Sequence, residues 1–398
     1  MRDFPLVLTA HTDRLAYGFP GGALYEMASP SLGGPALATD GTGASLAVWL
    51  VIPAPGGTDP LYRVMGLRFD PLGAPIDTAP FVIDGAVREN AAPIVTGLGG
   101  SSGDGGWAVV YTAAGVLLRI VSSGGVPSEA QVISSDGTAA NPDIANLTAG
   151  FVIAWAETLG DTPAVDPYQG IRARVFDSVG TATGPVFMPA TRRIGNQQRV
   201  TLASAGDVWI AAWSHAPAFG KPGPSTVRGR RYRGSVAIDA ADLDITLPGS
   251  FAPMLATTAN GEFVLAYEGV GGGGVDIGAR RLPMGDSADI SWLATSTAWS
   301  VAAGPRDEHI ASVSAAGDAD RIAVAYTPRI FDTPTIAFDG VVPGPEYAAL
   351  VTAWGSDTVQ NLTLARARRG IVCLWSSRSD ALRGTATRGI GMSYLGVE

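Results

Sequence analysis

Few residues in this chain of 398 have the types and spacing of a reactive centre. Gly99-Gly100-Ser101-Ser102-Gly103 matches the Gly-x-Ser-x-Gly turn that presents a serine nucleophile. That turn needs a strand before it and a helix after it, whereas here a Gly-rich loop joins two β-type runs. The three histidines, His11, His215 and His309, fall in no His-x-x-x-His or Cys-containing spacing, so no zinc centre is expected. Asp318 and Asp320 begin like a calcium loop, but the further oxygen ligands are missing and a solvated turn is expected instead. Arginines recur at Arg68, Arg119, Arg172, Arg174, Arg228, Arg230 and Arg280. Their even placement reads as structural, facing solvent or paired with turn aspartates. These residues assign no catalytic group, no metal and no cofactor.

The elements that must position any site are more legible. An aromatic residue ends a short apolar run seven times, at Trp49, Tyr111, Trp155, Trp213, Tyr267, Tyr326 and Trp375, with steps of 62, 44, 58, 54, 59 and 49 residues. A near-fixed period filled with short β-type runs marks a repeat architecture. Each unit reads as four strands. A polar or Pro-bearing first strand (Asn141-Pro142-Asp143-Ile144-Ala145) meets a Gly turn, then the apolar run, a loop, a period-2 third strand (Ile171 to Asp177) and a short fourth strand. The expectation is an all-β, seven-bladed β-propeller with four antiparallel strands per blade. It would be one domain over 34–398, with 1–33 supplying a lead-in and an N-terminal strand that closes the last blade. The fourth strand of that blade is expected from Phe4 to Ala10, with Ile390 to Leu395 as the alternative, and its third strand near Leu382 to Thr387. No window shows a helical period.

Composition narrows the partners. With 27 basic and 36 acidic residues the net charge is −9, which disfavours nucleic acid and anionic membrane surfaces. Hydrophobic residues make up 46% and charged residues 16%, enough for a large core. The one cysteine, Cys373, lies within an apolar run and forms no internal disulfide. The N-terminus lacks a secretory apolar stretch and no run reaches membrane-spanning length, so cytoplasmic synthesis, without membrane insertion, is expected.

The pattern Pro-x-Ile/Leu-Ala, Asp-Gly or Ala-Gly, Phe-Val-Ile-Ala-Trp and Gly-Ile-Arg-Ala-Arg-Val-Phe-Asp resembles bacterial β-propeller repeat proteins of surface, adhesin and lectin-like type. It is clearest over 141–188. The resemblance implies blade structure and no shared catalytic motif. Ser134-Ser135-Asp136-Gly137-Thr138 is a partial match to the turn of sialidase-like propellers, without its tryptophan and without repetition. The connections from second to third strand vary most in length, and loops on a rigid scaffold are where binding residues collect. They carry Asp59, Tyr62, Asp161, Asp166, Tyr168, His215, Phe219, Lys221, Phe331 and Asp332. Asn90, Asn141, Gln197, His309 and Gln360, at the starts of first strands, would join them on one face. Rings with acidic and amide groups suit sugar or protein recognition. The expected function is a non-enzymatic binding or structural module, a decoration or receptor-binding component of a virion or tail-like particle. Its partners would be the particle's subunits or a surface glycan. The alternatives are a stand-alone lectin and, behind it, a glycosidase or lyase using carboxylates at the channel mouth.

Overall fold

The computed structural model describes residues 8–11, 35–51, 62–71, 74–87, 93–99, 105–159, 168–192, 195–217, 223–258, 260–271, 274–282, 298–303, 309–316, 321–327, 335–338, 357–367, 370–379 and 387–397. Among them there is no helix, and the strands form seven antiparallel sheets of three to five strands each. Within five of the sheets the strands simply follow chain order, as in the first: Ala36–Thr39, Ser45–Val51, Tyr62–Phe69 and Phe81–Val87. The second strands are buried almost from end to end. All of Gly106–Thr112 is buried, and so are the first seven residues of Gly150–Leu159. A strand covered on both faces has no solvent side on which polar residues would alternate, which explains the continuous apolar runs.

The core lies between sheets rather than within one. Val152, Ala154, Ile171 and Ala173 of the third sheet pack with Leu202, Trp209, Trp213 and Tyr232 of the fourth. The repeat aromatics belong to this packing: Tyr111, Trp155 and Trp213 are at most 1% exposed. Burying a large apolar side chain to this extent stabilises by roughly 1.5–3 kcal/mol.

First strands of successive sheets lie against one another in an order that returns on itself, Asp357–Ala367 of the last meeting Ala36–Thr39 of the first. Leu8–His11 pairs antiparallel with Thr387–Val397 and completes the last sheet. The third strand of that sheet is therefore Thr387–Val397, later than the expected Leu382 to Thr387, and Ile390 to Leu395 falls inside it.

The first strands share a device that periodicity did not reveal. Register shifts recur at Ala140/Asp143, Gln198/Thr201, Phe251/Met254, Ile310/Ser312 and Gln360/Thr363. At three of them a non-glycine residue takes positive φ: Asn141 (49°), Arg199 (52°) and Ala252 (47°). The residue after the bulge then reaches the next sheet. Leu202 N–H donates to Asp143 Oδ2 at 2.7 Å, Leu255 N–H to Thr201 Oγ1 at 3.2 Å and Leu364 N–H to Ser312 Oγ at 3.0 Å. A bulge re-aims one side chain, and here it ties neighbouring sheets together.

Candidate functional site

The fourth sheet comprises Asn196–Ala205, Val208–Ala216, Thr226–Arg233, Val236–Ala237 and Leu243–Asp244. One of its ends carries the start of the first strand, the end of the second and the start of the third. Pairing there brings Gln197 opposite His215, His215 opposite Thr226, Trp213 opposite Arg228 and Arg228 opposite Asp244. Polar side chains from four of the sheet's five strands thus meet at the end from which the second-to-third connection leaves.

Their hydrogen bonding is unfinished. Among the described residues, nine buried side-chain N or O atoms lack a hydrogen-bond partner, and six belong to this group: Gln197 Oε1, Trp213 Nε1, His215 Nδ1, Thr226 Oγ1, Arg228 Nη1 and Asp242 Oδ2. Buried polar groups are nearly always paired with protein or bound solvent. Open donors and acceptors gathered at one end of a sheet are groups that bound solvent or a ligand satisfies. Gln197 is 1% exposed and holds its place by donating from Nε2 to the Arg192 carbonyl.

Charge at this end is balanced. Arg228 Nε donates to Asp244 Oδ1 at 2.6 Å. Arg228 Nη1 stands 3.8 Å from Asp242 Oδ2, close enough for ionic attraction but too far for a hydrogen bond. Arg192 lies 3.9 Å from Asp244. Desolvation pulls the Asp242 carboxyl upward, but donors from Thr191 and the Arg192 backbone outweigh it and hold the group below its ordinary value. It stays ionised. His215 is pushed down, first by burial and then by the Arg228 charge, against the opposing pull of Asp242 and Asp244. It is an uncharged base at neutral pH. Gly195 makes room for the ring: at φ +99° it takes a conformation that suits glycine, and a Cβ there would stand 2.4 Å from the Ala216 carbonyl oxygen and 2.9 Å from His215 Cε1.

Of the loop residues singled out in the sequence, Tyr62 and Tyr168 begin the third strands of the first and third sheets. His215 alone among them sits in the polar group, and the structure joins it to Gln197. Asp59, Asp161, Asp166, Phe219, Lys221, Phe331 and Asp332 lie outside the described residues, as do Asn90, Asp318 and Asp320. His309 faces Glu268 across 3.4 Å at the junction of the fifth and sixth sheets, where Ile310 N–H also donates to Glu268. Four of the recurring arginines pair with a carboxylate: Arg68 with Asp77, Arg119 with Asp84, Arg172 with Glu157 and Arg228 with Asp244. Only Asp77 is the expected turn aspartate, the other three carboxylates lying on strands. Sequence reasoning missed Trp213, Thr226, Arg228, Asp242 and Asp244 as site residues. The detectable signal was the divergence of one repeat from another, Trp213-Ser214-His215 against Trp155-Ala156-Glu157.

No protein-family model matches the chain, and no curated protein matches it by sequence. Among solved structures, the polysaccharide lyase Uly1 aligns over 96% of this chain and 94% of its own, with TM-score 0.54 and 10% identity. The shared feature is the fold. A protein of unknown function from Dyadobacter fermentans DSM 18053 aligns over 94% and 97%, with TM-score 0.50 and 11% identity. The α-L-arabinanase of Penicillium chrysogenum, complexed with arabinobiose, aligns over 96% and 98%, with TM-score 0.40 and 12% identity.

The likeness to a polysaccharide lyase corrects two expectations, that the chain is a non-enzymatic module of a particle and that it is no enzyme. The physical reason is that sites on such scaffolds are assembled from side chains on different strands and loops, so the absence of a contiguous catalytic motif does not mark the scaffold as inert. Among the described residues, no helix is long and apolar enough to cross a membrane.

Proposed function

We propose that the chain is a carbohydrate-active enzyme, built as a seven-bladed β-propeller closed by its N-terminal strand. In this reading it cleaves a polysaccharide at the loop-bearing end of the fourth blade. The observation that carries it is the gathering of six open, buried polar atoms, one of them on the uncharged His215. A sugar meets such a site with several groups that donate and accept at once, and His215 supplies the proton acceptor that chain cleavage requires. Gln197 and Asp242 accept from the substrate, while Trp213, Thr226 and Arg228 donate to it. Ionised Asp242 does not serve as the acid, because its donors hold it deprotonated.

The test is incubation of the purified chain with acidic and neutral polysaccharides, followed by the fall in chain length on a sizing column. His215→Ala is expected to abolish the fall with the fold intact by circular dichroism. Equal cleavage by wild type and His215→Ala sinks the assignment of this site.

A further inference from the structure

The third and fourth sheets carry the same pair of side chains and complete it differently. In the third, Trp155 lies directly across from Arg172, and Glu157, two residues further along its strand, faces the same side. The Glu157 carboxylate accepts Trp155 Nε1–H at 2.8 Å on one oxygen and Arg172 Nε–H at 2.7 Å on the other. Ser134 Oγ adds a contact at 3.4 Å. One carboxylate satisfies an indole and a guanidinium together.

In the fourth sheet Trp213 lies across from Arg228 in the same register, and His215 occupies the place of Glu157. No carboxylate of that strand reaches the pair. Trp213 Nε1 and Arg228 Nη1 are left without acceptors although Trp213 is fully buried and Arg228 is 8% exposed. Asp244 occupies Arg228 Nε from the far side, and Asp242 stands off from Nη1 at 3.8 Å. Thr226 replaces Gly170 on the facing strand and brings a further open hydroxyl.

We propose that the open Trp213–Arg228 pair receives the carboxylate of an acidic sugar, which supplies the acceptor that Glu157 provides in the third sheet. The inference rests on reading the chain as carbohydrate-active and names the substrate class for that site. An anion is favoured over a hydroxyl because the attraction between guanidinium and carboxylate charges adds to the hydrogen bond, and such pairs are shorter and stronger. Gln197 Oε1 and Asp242 Oδ2, which only accept, serve the ring hydroxyls of the same sugar. His215 is then a specificity-determining residue: by carrying no carboxylate it leaves both donors without an acceptor.

Calorimetric titration of the full chain with glucuronate, glucose and acetate tests this. Glucuronate is expected to bind about tenfold more tightly than either of the others. His215→Glu supplies its own carboxylate, as Glu157 does. It is expected to fold with an unchanged or raised thermal midpoint and to lose the preference for glucuronate. Trp213→Phe, which keeps the ring and drops the N–H, is expected to weaken glucuronate about fivefold and glucose less. Equal affinity for glucuronate and glucose, or undiminished glucuronate binding by folded His215→Glu, overturns the proposal. Acetate binding as tightly as glucuronate overturns the sugar assignment. Cleavage of polysaccharide without preference for acidic sugars overturns this inference and leaves the enzymatic reading standing. Glucuronate preference without cleavage of any polysaccharide does the reverse.

Discussion

Asp143 makes the tie between the third and fourth sheets, and the tie should be sensitive to pH. Its side chain is half-buried at that junction, accepting from Leu202 N–H at 2.7 Å and Ile144 N–H at 2.8 Å. Burial is the largest influence, and it pushes the group from 3.8 up to about 6 against the downward pull of those donors and of Thr201. A rise of about two units corresponds to about 3 kcal/mol. The folded state prefers the neutral acid, so between the two values the unfolded chain gives up a proton that the folded chain keeps. Stability from this group is therefore complete below pH 3.8, falls as pH rises towards about 6, and is gone above it. Asp143→Asn removes the titration, and turning an amide towards one backbone donor costs about 1–3 kcal/mol at every pH. Urea unfolding of both proteins between about pH 4 and pH 7 separates the two effects. Wild type should exceed the variant by about 2.4 kcal/mol more at the acid end than at the neutral end, other titrations cancelling in the difference. Parallel curves over that range would refute the reasoning.

Three further outcomes are expected. Cleavage should be level above pH 6.5 and fall below it with a midpoint under that value, because burial and Arg228, against Asp242 and Asp244, hold His215 down. A midpoint above 6.5 in the pH–rate profile would contradict this. Thr201→Val and Ser312→Ala each orphan a backbone N–H between sheets and should cost about 1–3 kcal/mol in urea unfolding. Lying at different junctions, their costs should add to within about 0.5 kcal/mol. Gly195→Ala forces a Cβ against the Ala216 carbonyl and the His215 ring at positive φ. It should cost about 1–3 kcal/mol and lower the cleavage rate in protein that thermal unfolding shows to be folded.

The frame was legible because burial on both faces leaves its mark in residue type: runs such as Val152-Ile153-Ala154-Trp155 can sit only between sheets. The polar starts of first strands led to Gln197, and the loop ends led to His215. Arg228 was hidden by its own repeat, since Arg172 at the equivalent place is paired and structural. Asp242 and Asp244 lie in a short, irregular outer edge where no period operates. The ties at Asp143, Thr201 and Ser312 depend on bulges, which shift register by one residue and so break the alternation that a sequence reading follows.

The pairing of Leu8 with Val397 joins opposite ends of the described chain. Closing a loop of that length carries an entropic cost of about 5 kcal/mol before any contact is made. On a ribosome the pairing cannot form until the C-terminal strand has emerged, while the earlier sheets can already stack on one another in order. Assembly should thus proceed along the chain and finish with a single late step of very high contact order, making ring closure the slowest stage of refolding.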